Sequence, residues 1–222
     1  MTDVNIIELK ESILEDNDAD AERLRQDLKN RRICLMNLMS SPGSGKTTTL
    51  LALNRFFQGK ISWGVMEADI DSDVDARTMQ AAGVPSIQLH TGGMCHLDAD
   101  MTRQGINAFD RDDLDFIVLE NIGNLVCPAE FDTGAALNLT LLSVPEGHDK
   151  PAKYPLMYEV SDVLVVNKID ALPVFDFDKN QMEAYVRELN PDIKIFYISA
   201  KTGEGVQELA DYLIDYVKEW NR

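Results

Sequence analysis

Ile33-Cys34-Leu35-Met36-Asn37-Leu38-Met39 runs directly into Ser40-Ser41-Pro42-Gly43-Ser44-Gly45-Lys46-Thr47-Thr48, and helix signals follow over residues 46–58. The first seven residues read as a buried strand. In the loop, Gly43 and Gly45 let the backbone curl so that its N–H groups point at phosphate oxygens. The helix after it adds the positive end of its dipole. Lys46 then reaches the β- and γ-phosphates of a nucleotide, and the Thr47 hydroxyl is placed to bind Mg²⁺. Gly43, Ser44, Gly45, Lys46, Thr47 and Thr48 are therefore the candidate phosphate-binding residues.

Strands and helices alternate on both sides of this loop. Upstream, Ile6, Ile7, Leu9, Ile13, Leu14, Leu24 and Leu28 fall near helical spacing, which predicts a helical arm over 5–30. The acidic stretch Glu15-Asp16-Asn17-Asp18 leaves open whether the arm is one helix or two. Downstream, strands are expected at 61–68, 86–89, 115–120, 138–144, 162–166 and 193–198. Helices are expected at 74–82, 97–109, 179–189 and 206–220. Several strands are apolar throughout, which predicts an α/β fold: a mostly parallel sheet covered by helices on both faces. Residues 1–30 then form an arm, and 31–222 a single nucleotide-binding domain. Ligands of such sheets lie at the carboxyl ends of the strands, where every motif of this chain falls. The Ser40–Thr48 loop resembles the P-loop of nucleotide triphosphatases, with one departure: Ser40 stands where the usual pattern has Gly.

Composition narrows the partners. The 222 residues carry 21 basic and 38 acidic side chains, a formal charge of −17. So acidic a surface repels phosphate backbones and anionic lipid, so neither nucleic acid nor membrane is expected as a partner. Three cysteines make no disulfide framework and suit a reducing cytoplasm. Met1-Thr2-Asp3 lacks a cationic apolar leader, and no apolar run reaches the ~18 residues of a membrane helix.

Three further motifs concern the nucleotide. Val163-Leu164-Val165-Val166-Asn167-Lys168-Ile169-Asp170 ends an apolar strand and resembles the guanine-reading motif of GTPases. An aspartate at Asp170 accepts from both N1–H and the N2 amine of guanine, a donor pair adenine lacks. Asn167 and Lys168 brace the pocket, and Ser199-Ala200-Lys201 resembles the companion loop whose backbone meets guanine O6. Glu120-Asn121-Ile122-Gly123 occupies the place of Asp-x-x-Gly. There Glu120 meets Mg²⁺ directly or through water, and the Gly123 N–H senses the γ-phosphate. Asn124 replaces the water-orienting Gln common after that Gly, which predicts slow hydrolysis. Asp75 is the second Mg²⁺ candidate, with Asp69 behind it; Asp71 and Asp73 read equally as a solvated acidic loop. Lys46, Thr47, Asp75 and Glu120 make up the expected catalytic set.

Cys95 and His96 are adjacent in the Gly-flanked loop Gly92-Gly93-Met94-Cys95-His96-Leu97-Asp98-Ala99, and Cys127 follows Glu120 by seven residues. Thiolate and imidazole are ligand types for Zn²⁺ and suit Ni²⁺. Three ligands fall one short of a closed tetrahedral site, a gap that a symmetric dimer fills by pooling ligands. Cys34 reads as core, and His90 and His148 as weaker ligands. A nucleophilic role for Cys95 ranks below metal binding, because adjacent residues opening a helix point apart.

Taken together, these motifs resemble the HypB family of hydrogenase nickel-incorporation GTPases, which are P-loop GTPases related to the urease accessory protein UreG. The match runs from about Ile33 to the last helix. The resemblance implies a cytoplasmic GTPase that dimerises with GTP and helps load nickel into nickel–iron hydrogenase. It implies metal binding by Cys95, His96 and Cys127 near the dimer interface, with Zn²⁺ or Ni²⁺, and as partners the nickel chaperone HypA and the hydrogenase large subunit. Residues 1–30 contain no Cys and the chain has three His, so one regulated metal site per protomer is expected and no storage role. UreG carries Cys-Pro-His at its metal loop, whereas Cys95-His96-Leu97 favours the hydrogenase branch. The alternatives are maturation of urease or another nickel enzyme and, more distantly, a small-molecule kinase.

Overall fold

A computed structural model describes residues 9–69, 74–109, 111 and 113–222. In chain order the elements are α1 (Leu9–Arg31), β1 (Cys34–Ser40), α2 (Lys46–Phe57), β2 (Trp63–Asp69), α3 (Val74–Ala81), β3 (Ser86–His90) and α4 (Ala99–Asn107). There follow β4 (Phe116–Gly123), α5 (Cys127–Glu130), β5 (Leu137–Ser143), α6 (Lys150–Lys153), α7 (Pro155–Glu159), β6 (Val163–Asn167), α8 (Lys179–Leu189), β7 (Lys194–Tyr197) and α9 (Val206–Trp220). The seven strands form one sheet in the order β3-β2-β4-β1-β5-β6-β7. Every adjacent pair is parallel.

Apolar side chains alternate across the strands and so serve both faces. On one face Met36, Val118 and Leu139 pack with Leu50, Leu53 and Phe57 of α2 and with Leu209, Leu213 and Val217 of α9. On the other, Leu35, Ile117 and Leu119 pack with Leu24 and Leu28 of α1 and Ile106 of α4. Beyond them Leu142, Leu164 and Val166 meet Met157 and Tyr158 of α7 and Met182 and Val186 of α8. Each such side chain, fully removed from water, contributes about 1.5–3 kcal/mol, which is how wholly apolar strands come to hold a two-faced sheet.

The expected elements are present, most with ends displaced by a residue or two. Two differences matter for the site. The arm is one helix from Leu9, unbroken at Glu15–Asp18, because Asn17 there turns inward to bond with the domain instead of ending the helix; residues 5–8 lie outside the described residues. The strand expected to end at Glu120 continues to Gly123. Glu120 is therefore a mid-strand residue, facing Glu67 on β2 and Leu38 on β1 in register. The β1–β4 register then shifts between Leu38 and Ser40, where the chain leaves the sheet for the phosphate loop.

Candidate functional site

The carboxyl ends of β1, β4 and β6 converge on one opening. A cavity of about 360 Å³ is lined by Gly43, Gly45, Lys46, Thr47, Asp75 and Glu120. It adjoins a second, of about 280 Å³, lined by Thr48, Asn167, Lys168, Asp170, Ala200 and Lys201. The first gathers the residues expected to bind phosphates and the second those expected to bind the base. Gly45 joins them, with φ +101° before the first residue of α2. A Cβ there would stand 2.6 Å from the Asn167 side-chain nitrogen, so both backbone freedom and close approach require glycine. The departure at Ser40 is absorbed inside the loop: its buried hydroxyl accepts from Ser44 Oγ at 2.7 Å and donates to the Ser41 carbonyl at 2.8 Å. Ser41 in turn donates to Glu146, which also accepts from the Ser143 amide and hydroxyl.

Asn167 ties the two halves together. Its amide nitrogen donates to Ser44 O at 3.1 Å, and its oxygen accepts from the Ala200 N–H at 3.1 Å. Lys168, in the left-handed region at φ 62°, donates to Gly43 O at 2.6 Å. The Ser199 hydroxyl donates to Asp170 Oδ1 at 2.7 Å and so fixes the carboxylate that faces the base cavity.

At the phosphate end, Thr47 Oγ1 donates to Glu120 Oε1 at 3.2 Å, and Lys46 Nζ lies 4.0 Å from the same oxygen. Sequence reasoning missed a fourth group, Glu67. It sits inside the apolar strand β2, 3 % exposed, directly across from Glu120 at 4 %. Burial first, then the charge of Glu120 and their shared hydrogen bond, push its carboxyl up to about 10. Glu120 is itself raised by burial, against the pull of Lys46. Glu67 Oε1 and Glu120 Oε2 have no hydrogen-bond partner, although both are buried. A space of about 50 Å³ beside them is lined also by Lys46, Asp69 and Asp75. The unpartnered Glu120 Oε2, with Asp75 lining the same space, offers the oxygen donor chemistry Mg²⁺ takes, although among the described residues no three acids already surround one point. Asp71 and Asp73 lie outside the described residues.

The third cluster lies at the tips of β3 and β4. Gly92 and Gly93, with φ 64° and 98°, turn the loop that carries Cys95. Cys127 opens α5, and the two sulfurs stand 2.8 Å apart, with Cys95 donating. That hydrogen bond, ahead of burial, holds the Cys95 thiol above its usual range. Around Zn²⁺ at ~2.3 Å per sulfur, tetrahedral ligands sit ~3.8 Å apart, so a shift of about an ångström would admit an ion. His96 stacks on Phe131 with ring centres 3.7 Å apart, and its Nδ1 is 4.0 Å from Cys95 Sγ. Among the described residues, no three Cys, His, Asp or Glu side chains already surround one point. The weaker candidates lie elsewhere: Cys34 is buried in β1 with its thiol pushed up to about 12 by desolvation. His148 accepts from the Asp178 N–H, and His90 is exposed at the end of β3.

A parallel sheet with a glycine-turned phosphate loop after its central strand defines a P-loop nucleoside triphosphatase. The model of the CobW/HypB/UreG nucleotide-binding domain matches residues 34–197. Hydrogenase maturation factor HypB of Azotobacter chroococcum mcd 1 is 42% identical over 91% of this chain and 67% of its own length. The hydrogenase/urease maturation factor HypB of Helicobacter hepaticus is 38% identical over 93% of this chain and 86% of its own. The crystal structure of HypB from Helicobacter pylori in complex with nickel superposes with a TM-score of 0.87 at 36% identity, covering 92% of this chain and 96% of that one. The chain belongs to the CobW/HypB/UreG family, among its HypB hydrogenase maturation factors. Among the described residues, no helix is long and apolar enough to cross a membrane.

Proposed function

We propose that this protein hydrolyses GTP to GDP and phosphate and uses the nucleotide state to control a nickel- or zinc-binding site during maturation of a nickel–iron hydrogenase. One observation carries the reading. β4 passes Glu120, which meets Thr47 and Lys46, and reaches Gly123; four residues on stands Cys127, 2.8 Å from Cys95. A movement of the strand end that answers the γ-phosphate therefore displaces one sulfur of the pair.

Asp170 and the Ala200–Lys201 loop select guanine, Lys46 and the loop amides bind the phosphates, and Thr47, Asp75 and Glu120 hold Mg²⁺. The ion, when bound, neutralises charge on the phosphate oxygens. Hydrolysis is slow, because the Asn124 side chain is turned back to accept from the Val126 N–H at 2.9 Å. Cys95, His96 and Cys127 take nickel as cargo, in a homodimer that completes the ligand set across its axis. The arm expected at 1–30, α1 from Leu9 onward, serves a 31–222 domain, and the protein acts in the cytoplasm with HypA and the hydrogenase large subunit.

The test is Ni²⁺ and Zn²⁺ binding with GDP and with a non-hydrolysable GTP analogue, with mass by light scattering, for wild type, Cys95→Ala and Cys127→Ala. Nucleotide-dependent affinity lost in both variants is expected. Binding indifferent to nucleotide and to both cysteines would sink the reading. The relative named for both hydrogenase and urease sets the second comparison: both activities measured in a deletion strain, with loss of hydrogenase alone expected.

A further inference from the structure

The two sulfur-bearing segments come from different places in the sheet. The Cys95 loop hangs from β3, an edge strand that among the described residues pairs only with β2, whereas Cys127 follows β4. Downstream, both segments end on one side chain of α1. Asn17 Oδ1 accepts from the Ala99 N–H at 3.0 Å, and Asn17 Nδ2 donates to Asp132 O at 2.9 Å. Ala99 lies four residues past Cys95, and Asp132 five past Cys127. The amide orientation is settled by its partners, since the opposite flip would set N–H against N–H and oxygen against oxygen.

Neighbouring contacts hold the same two segments to the same helix. Arg25 grips the Asp132 carboxylate with bonds of 2.8 and 2.6 Å and donates to Ala135 O at 3.0 Å. Gly134, at φ +77°, lies so close to α1 that a Cβ would stand 3.0 Å from the Ala21 carbonyl. On the other segment, Leu97, next to His96, is buried in the cluster of Leu24 and Leu28, and Arg103 of α4 pairs with Asp20 at 3.4 Å.

We infer that Asn17 is a positioning residue for the thiol pair, and that docking of α1 and metal binding are thermodynamically linked through it. The inference rests on the metal reading of Cys95 and Cys127 above. One amide supplies the donor and the acceptor that keep the two segments in register, so the sulfurs meet the ion already close together. Preorganisation of this kind is what outer-shell partners contribute, about 10–100-fold in metal affinity. Reciprocity then requires metal to strengthen the docking of α1 by the same factor.

Two variants and one wild-type measurement test this on the full chain. Asn17→Leu removes both bonds at similar volume; Asn17→Asp keeps the bond from Ala99 and sets an acceptor against Asp132 O. Ni²⁺ affinity, followed by thiolate-to-nickel charge-transfer absorption, should fall about tenfold or more in both, while GDP affinity stays within about twofold. In wild type, Ni²⁺ should slow amide hydrogen exchange along α1, and in Cys95→Ala it should not. Unchanged nickel affinity in variants that still bind GDP, or α1 exchange in wild type that is indifferent to bound nickel, overturns the inference. Equal nickel binding by wild type and Cys95→Ala would instead overturn the thiol site itself.

Discussion

Replacing Glu67 with Gln should stabilise the nucleotide- and metal-free protein, and by an amount that grows with pH. Glu67 is protonated in the fold, its carboxyl raised from 4.5 to about 10 by burial and by Glu120. In the unfolded chain it ionises near its ordinary value. Below that value both states hold the proton and ionisation of the group has no effect on stability. Above it the unfolded state alone releases the proton, so stability falls by about 1.4 kcal/mol per pH unit until the folded group also ionises. From pH 4.5 to 7 the loss is about 3 kcal/mol, a large share of the ~5–15 kcal/mol that holds a domain together. The result at pH 7 depends only on the folded carboxyl remaining neutral there. Glutamine does not titrate, and its amide can donate to Glu120 in place of the acid O–H. Urea unfolding of wild type and Glu67→Gln at pH 5, 6 and 7, in chelator, reads the contribution of Glu67 together with its coupling to Glu120, the other titratable groups being common to both. The advantage of the variant should widen by about 2–3 kcal/mol between pH 5 and 7. A gap that stays constant to within about 0.5 kcal/mol would refute the assignment of a buried neutral Glu67.

Asp170→Asn leaves an amide where the base site offers a carboxylate; GDP affinity by calorimetry should drop about 100-fold or more, with unfolding temperature nearly unchanged. Gly45→Ala forces a side chain to φ +101° and against Asn167; it should cost about 1–3 kcal/mol in urea unfolding and abolish nucleotide binding, and full GDP affinity would show that the turn tolerates a Cβ.

In this fold the phosphate loop and the thiol pair are both served by one strand end, that of β4. At that end Gly123 packs tightly against the phosphate loop. A Cβ there would stand 3.0 Å from Pro42 of the phosphate loop, so β4 and the loop move, or stay, together. The buried polar row continues sideways: Asn121 donates to Asn37 at 3.0 Å and Asn37 to Asn138 at 3.2 Å, joining β4, β1 and β5 beneath the site. Such a row inside an apolar sheet is stable only when its bonds are made, and so holds these strands in register.

By itself the sequence determined the local pieces. The apolar run Ile33–Met39, the glycines at 43 and 45, and Lys46-Thr47 specify strand, turn and helix through contacts between near neighbours. The order of Asn167–Asp170 and Ser199–Lys201 pointed to a base-binding side for the same reason, and the structure gathers Asn167, Lys168, Asp170, Ala200 and Lys201 around one cavity; Cys95-His96 and Cys127 stood out by residue type. A charged residue inside the otherwise apolar Trp63–Ala68 was the one signal that could have marked Glu67, but an acid in a strand names no partner. Its meeting with Glu120 depends on β2 lying beside β4, and the run of β4 on to Gly123 depends on β1 and β2 flanking it. Asn17 in its acidic stretch read as a place where a helix could end, until the packing of α1 brought Ala99 and Asp132 to its amide. Lateral strand order and helix docking are set by burial summed over the whole sheet, and no window of neighbouring residues contains that sum. The sulfurs of Cys95 and Cys127 come within 2.8 Å only after it has been taken.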